Sequence, residues 1–369
     1  MSSLSPVDEL KLLLRPAGGG LYLISTGRAE QLALQRRYYD AASDEDVTRA
    51  FHDVLAGIAD AKVVVLGVPS DVGAGFRRGA NLGPQAMRTQ LLADQPDWAS
   101  SALQRGVIDI GDVFVVPQLL EDEMLAEAQL ERCRRALYPD VPVELRGTLP
   151  CSPLSITERV LVLVQRINPR AKPLILGGDH SVAWPVVKAL HDAGKRFAIV
   201  QADAHTDLLE ERLGIRTCFA TWTWRANELL GRCGRVLQVG IRATRFPQQH
   251  WEGTLGVRQW WANTVRRDPD AALQELLDAA RAHGTPVYLS NDIDGTDASD
   301  ADATGTPEPD GLAVAWLVTL IDELGRSPGL VGADLVEVAP LLGKDGGRRT
   351  LEVAAHYLRH TVDALLAGA

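Results

Sequence analysis

Apolar residues in this chain fall into short unbroken runs that stop at glycine, proline or aspartate. Val63-Val64-Val65-Leu66, Pro173-Leu174-Ile175-Leu176, Phe197-Ala198-Ile199-Val200 and Val287-Tyr288-Leu289 show no polar alternation. A strand with one solvated face alternates, whereas a strand covered on both faces does not. These runs therefore predict buried strands of a parallel sheet. Leu330-Val331-Gly332-Ala333 has the same character. Stretches of helical spacing lie between them. Val47, Ala50, Phe51, Val54, Leu55 and Ile58 mark a helix from Asp44 to Ile58, with Ser43 as its N-cap. Ile156–Ile167 reads as a helix behind an irregular, proline-containing stretch, Val141 to Pro153, expected to be a long loop. Alternating strands and helices predict an α/β fold, and 369 residues suit one large domain as well as two or three.

Three strand-like runs are followed by residues that bind metals. Gly177-Gly178-Asp179-His180-Ser181 follows the second run, Asp203-Ala204-His205-Thr206-Asp207 the third, and Asp292-Ile293-Asp294 the fourth. In an open parallel sheet, ligands collect at the carboxyl ends of the strands, so these segments can converge from distant parts of the chain. Taken singly, each has a plainer reading, such as a turn or a helix N-cap. Together, His180, Asp203, His205, Asp207, Asp292 and Asp294 make two imidazoles and four carboxylates without a thiolate. That set suits two divalent first-row ions, Mn²⁺ first and Ni²⁺ also, rather than calcium or structural zinc. On an extended strand residues i and i+2 share a face, so Asp203 and His205 are expected to point together, as are Asp292 and Asp294. Two cations would offset the mutual repulsion of the carboxylates.

With these motifs the chain resembles the ureohydrolase family, which includes arginase, agmatinase, guanidinobutyrase and formimidoylglutamase. Further matches are Gly67-Val68-Pro69-Ser70-Asp71, Gly75-Phe76-Arg77-Arg78-Gly79-Ala80 with Gly83-Pro84, and Asp109-Ile110-Gly111-Asp112. Val239-Gly240-Ile241-Arg242 resembles another core strand, and Asp292 to Gly311 keeps the family spacing through Asp297 to Thr304-Gly305-Thr306-Pro307. Asp334-Leu335-Val336-Glu337-Val338 resembles the last strand and its substrate carboxylate. The resemblance implies a three-layer αβα domain over residues 62–369, with a central, mostly parallel sheet, preceded by an N-terminal extension at 1–61. It implies that Asp207 serves proton transfer besides binding metal, and that Glu337 pairs with a planar cationic substrate group. The expected reaction is metal-assisted hydrolysis of a guanidino compound, releasing urea and an amine.

The chain also departs from the family. Where many members have His-Gly-Thr-x-Phe, it reads Ile215-Arg216-Thr217-Cys218-Phe219, so the histidine thought to assist proton transfer is absent. Trp222 and Trp224 follow, and aromatic faces bind guanidinium groups. Ala298, Asp302, Ala303 and Asp310 stand where the family often has Pro, Pro, Gly and Gly. The segment Ile215–Arg225 is expected to line the substrate entrance, with Arg216, Trp222 and Trp224 as substrate contacts. Arg216 and Arg225 would instead clamp an acidic formimino substrate under the alternative formimidoylglutamase-like reading. A non-catalytic subunit is the remaining alternative.

Composition narrows the partners. The net charge of -10, from 38 basic and 48 acidic residues, disfavours nucleic acid and favours a small cationic substrate. No apolar run reaches membrane-spanning length, and the N-terminus lacks a basic patch leading into an apolar core. Cys133, Cys151, Cys218 and Cys233 are widely spaced, as free thiols of a cytoplasmic protein would be. Pro16-Ala17-Gly18-Gly19-Gly20 lacks the Gly-Lys-Ser/Thr ending of a phosphate loop and reads as a turn. A homo-oligomer, trimer or hexamer, is expected from the family resemblance.

Overall fold

The computed structural model describes residues 4–368. Its strands are β1 (Leu14–Arg15), β2 (Val63–Val68), β3 (Val107–Val113), β4 (Lys172–Gly177), β5 (Ala198–Ala202), β6 (Val236–Val239), β7 (Arg258–Trp260), β8 (Val287–Asp292) and β9 (Leu330–Val336). They form one sheet in the order β1-β3-β2-β4-β9-β8-β5-β6-β7. Every neighbouring pair is parallel except β1–β3, where Leu14 opposes Val113 at the edge.

Successive strand residues feed opposite layers, which explains the unbroken apolar runs. Val64, Ile175 and Ile199 pack with Leu10, Phe51, Val160 and Val187 of helices Pro6–Leu13, Asp44–Ala56, Pro153–Ile167 and Ala183–Asp192. Their neighbours Val63, Leu174 and Val200 pack on the other face. There they meet Met87, Leu276, Leu320 and Leu358 of helices Gly83–Asp94, Pro269–Ala282, Val314–Arg326 and Arg348–Ala367. The result is three layers, helices on both faces of the sheet.

The helix expected from Asp44 runs to Ala56 and tightens into a 3₁₀ turn, Gly57–Asp60; Ser43 Oγ accepts from the Asp46 amide at 3.1 Å. The stretch from 141 to 153 is less irregular than its prolines suggest. It contains a helical turn, Val143–Arg146, and the next helix opens at Pro153, where a missing N–H costs nothing. Helix Pro6–Leu13 is tied to helix Pro153–Ile167 by Glu9, whose two oxygens accept from Arg159 at 2.5 and 2.8 Å.

The order β4-β9-β8-β5 places four chemically distinctive strand ends side by side at the centre of the sheet. Register aligns them: Leu176 opposes Leu335, Val336 opposes Asp292, and Asn291 opposes Ala202. Segments separated by over a hundred residues thus reach one edge of the sheet together.

Candidate metal centre

The loops leaving β4, β5 and β8 all turn by the same device. Asp179 Oδ1 accepts from the Ser181 amide at 2.8 Å, Asp203 Oδ1 from the His205 amide at 2.6 Å, and Asp292 Oδ1 from the Asp294 amide at 2.9 Å. In each, an aspartate bonds the backbone two residues on, closing an Asx-type turn. This corrects the expected strand-face geometry. β5 ends at Ala202, before Asp203, and Ile293–Gly295 is a 3₁₀ turn. The paired side chains converge because the chain curls, not because it is extended. The match at Val239–Arg242 is also only partly strand: β6 ends at Val239, and Gly240 turns with φ +97°.

His180 Nδ1 lies 3.2 Å from Asp203 Oδ2, 3.2 Å from Asp207 Oδ2 and 3.0 Å from Asp292 Oδ2. His205 Nδ1 lies 3.1 Å from Asp294 Oδ2 and 3.6 Å from Asp203 Oδ1. Asp203 thus offers one oxygen toward each histidine. Donor atoms of His180, Asp203 and Asp207 lie within 4.8 Å of one another, as do those of Asp203, His205 and Asp294. His180 Nδ1 is buried and makes no well-directed hydrogen bond although three carboxylate oxygens surround it. An imidazole lone pair and carboxylates aimed at a common space fit a divalent cation, and the shared Asp203 fits a pair of them.

Electrostatics point the same way. Burial, reinforced by the charge of Asp203, pushes the Asp207 carboxyl up to about 6. Burial with Asp294 and Asp203 holds Asp292 well above the usual carboxylate range. Burial alone would lower the histidines, but the acids outweigh it, raising His180 well above its ordinary value and His205 to about 12. Protons and divalent cations compete for such a cluster.

A buried support fixes the ligand orientations. Tyr288 Oη donates to Asp334 Oδ2 at 2.5 Å, and Ser290 Oγ donates to Asp334 Oδ1 at 2.9 Å. The single Ser290 proton being so used, its oxygen accepts from His180 Nε2 at 2.9 Å, which leaves the Nδ1 lone pair facing the cluster. On the other side a glutamine ladder crosses three strands. Gln259 Nε2 donates to Gln238 at 2.8 Å, Gln238 Nε2 to Gln201 at 2.7 Å, and Gln201 Nε2 to Asp203 Oδ2 at 2.7 Å.

A cleft of about 730 Å³ opens beside the cluster, a size typical of small-molecule sites. Its floor includes His205, Asp207, Thr306 and Glu337. Glu337 is 7% exposed, sits at φ +62° beyond β9, and accepts from the His180 amide at 2.9 Å. Burial, with the neighbouring Asp179, holds its carboxyl well above the usual range. Thr306 Oγ1 donates to Asp294 Oδ2 at 3.0 Å.

A model of the arginase family matches residues 61–362. The chain belongs to the arginase family. It is 31% identical over 285 residues to the guanidinobutyrase of Pseudomonas aeruginosa, covering 74% of this chain and 78% of that one. It is 33% identical over 290 residues to the N(1)-aminopropylagmatine ureohydrolase of Thermus thermophilus, covering 79% and 87%. Among solved structures, the agmatine ureohydrolase of Thermoplasma volcanium is similar at a TM-score of 0.62 and 28% identity, covering 85% of this chain and 93% of that one.

The arginase-family frame shows where this chain's aromatic and basic departures go. Trp222 is 1% exposed and does not line the cleft; its Nε1 donates to Asp207 Oδ2 at 3.0 Å and its ring lies 4.7 Å from that of His180. Trp224 packs against the neighbouring core, and Arg216 is exposed away from the cleft. Arg225 lies over the Trp184 ring at 4.6 Å and donates to Arg216 O at 3.4 Å, so neither arginine clamps a ligand there. The expected entrance Ile215–Arg225 reduces to Phe219 and Ala220 on the cleft wall, because helix Trp222–Leu229 turns inward under the cluster. Ile215, in place of the family histidine, is 44% exposed, and among the described residues the only histidine lining the cleft is His205.

Ser290 and the glutamine ladder escaped sequence reasoning, and Thr306 was noticed only as part of a matched segment. A faint signal existed: Gln201 and Gln238 interrupt strands that are otherwise apolar. Arg242 was noticed only as part of a strand, yet its guanidinium donates to Asp294 O at 2.7 Å, Thr296 O at 3.2 Å, Glu308 O at 2.8 Å and Pro309 O at 2.9 Å.

Proposed function

We propose that this protein is a metal-dependent hydrolase that cleaves a C–N bond of a guanidino compound, releasing urea and an amine. One observation carries the reading: the carboxylate of Glu337 shares a cleft floor with His205 and Asp207 of the acidic cluster. His180, Asp203, Asp207 and Asp292 would hold one cation, and Asp203, His205 and Asp294 a second. When bound, such a pair supplies a water deprotonated near neutral pH and offsets the acidic charge. Mn²⁺ is the metal of choice for these donors, with Ni²⁺ accepted by the same set.

Glu337 pairs with the guanidinium and holds its trigonal carbon over the cluster. Its backbone, fixed by the Glu337 amide donating to Gly178 O at 2.8 Å, keeps the carboxylate on the floor. Water oxygen adds to the guanidino carbon, and the bond to the alkyl nitrogen breaks. Asp207 Oδ2 is committed to Trp222, so Oδ1 is the atom that carries the proton to the leaving nitrogen. Among the described residues no histidine beyond His205 lines the cleft, which puts the proton-transfer task on Asp207 in this reading.

Residues 62–369 are the catalytic unit of this reading and 1–61 its extension, of which residues 4–61 lie against that unit. The four cysteines are all free, consistent with a reducing cytoplasm. No helix of the described residues is long and apolar enough to cross a membrane. Assembly is as a symmetric trimer or hexamer. The deciding experiment loads purified protein with Mn²⁺, measures metal by elemental analysis, and assays urea release from guanidino compounds and formamide release from formimino compounds. About two ions per chain and urea from a guanidino compound are expected. Stoichiometry near zero, or formamide from formimino compounds with no urea from guanidino compounds, overturns the reading.

A further inference from the structure

The cleft is segregated by charge in a way the overall acidity of the chain conceals. Its floor is acidic, with Asp207 and Glu337 both buried. Its remaining wall carries three cations, Arg77, Arg212 and Arg245, against one further acid, the exposed Glu211. The arginine ion pairs among the described residues lie elsewhere and use none of these three.

Resting on the guanidino-hydrolase reading above, we propose that the substrate carries a carboxylate at the end remote from its guanidinium, and that Arg212 and Arg245, with Arg77, form the rim that binds it. The substrate class is therefore an ω-guanidino acid, rather than a guanidino amine.

Arg212 is placed by local structure. Its amide donates to Ile215 O, and the Ile215 amide donates to Arg212 O, both at 2.9 Å. Leu213 and Gly214 between them have φ +52° and +81°, the two left-handed residues of a tight hairpin turn. The Arg212 guanidinium lies 5.0 Å over the Phe219 ring, and both residues line the cleft. A cation held against an aromatic face keeps its outward N–H groups for a ligand and loses less freedom on binding one. The hairpin closes at Ile215, which stands where many family members have a histidine. Arg245 lies on the loop that follows β6, contributing to the same cleft.

Apolar side chains fill the space that a methylene stem would cross. Phe76, Leu209, Leu213 and Phe246 line the cleft and are among the exposed large hydrophobics of the surface. A guanidinium at an acidic floor, an aliphatic stem and an anion at a basic rim complement this arrangement end to end. A terminal ammonium would face arginines of like charge, which selects against amines.

The test uses full-length protein loaded with Mn²⁺ and paired substrates of matched chain length, an ω-guanidino acid and an ω-guanidino amine. Urea release should favour the acid in kcat/KM at every productive length. Arg212→Ala and Arg245→Ala should each weaken the acid about fivefold, and together about twentyfold, as expected of exposed charge pairs. The loss should fall on KM and shrink with added salt, while the same variants improve turnover of the amine. Arg212→Glu with Arg245→Glu should invert the preference. An amine used as well as the acid by the unmodified protein, or rim variants that leave the acid's KM unmoved, overturns the inference and leaves guanidino hydrolysis standing. No urea from either compound, with two metals bound, overturns both.

Discussion

At Trp222 one indole serves two residues of the cluster: its N–H meets Asp207 Oδ2 and its face covers His180. Trp222→Phe keeps most of the ring and removes the donor, leaving a buried carboxylate oxygen short of a partner. Metal affinity should fall by about ten- to a hundredfold, as when other outer partners of metal ligands are lost, readable by metal titration. A variant with unchanged affinity would reduce Trp222 to packing. Glu337→Gln tests a different residue on the same floor. Glutamine Oε1 can still accept from the His180 amide, so metal content should hold. The guanidinium, however, loses its counter-charge in a partly buried site, at about 3–5 kcal/mol by analogy with broken buried pairs. A fall in kcat/KM of at least a hundredfold with two metals retained is expected, and near-normal kinetics would contradict the assigned role. The sequence singled out both residues but misjudged Trp222, because spacing along the chain does not reveal that the helix it opens turns under the cluster.

The elements supply rigidity from unexpected places. Among the described residues Arg242 has no carboxylate partner; it spends its donors on backbone carbonyls of the loop from Asp294 to Pro309, which carries a candidate ligand at one end and Thr306 near the other. Arg242→Met would leave several of these carbonyls partly buried and unpaired. A loss of about 2–4 kcal/mol in denaturant unfolding is expected, together with weaker retention of the metal near Asp294. If stability holds, water replaces the guanidinium without loss. Gly178 illustrates the opposite constraint: a Cβ there would lie 1.8 Å from Ser70 O, so the turn into His180 excludes any side chain.

On the scale of the whole molecule, the proposed metal centre would link metal binding to folding. Asp203, Asp292 and Asp294 are 0–3% exposed and gathered only in the native state. Chelation should therefore lower Tm, and added Mn²⁺ should raise it in a concentration-dependent way. An identical Tm with and without chelator would mean that the cluster does not hold metal. Light scattering at micromolar concentration should return a trimeric or hexameric mass, and a monomer would contradict the proposed assembly.

Local chemistry was legible in the sequence because it is local. Unbroken aliphatic runs report strands covered on both faces, and β2, β4, β5 and β8 lie where those runs predict them. His180, Asp203, His205, Asp207, Asp292 and Asp294 could be named as candidate ligands because each group sits within a few residues of a strand end. How they meet was decided by tertiary structure. The crossover order β4-β9-β8-β5 brings the ends together, and curled Asx turns, rather than extended strand faces, aim the side chains. The basic rim was equally hidden, since Arg77, Arg212 and Arg245 are distant in sequence and share a cleft only after folding. Ligand type is a property of residues and their immediate neighbours, whereas substrate choice depends on which surfaces the packed sheet brings face to face.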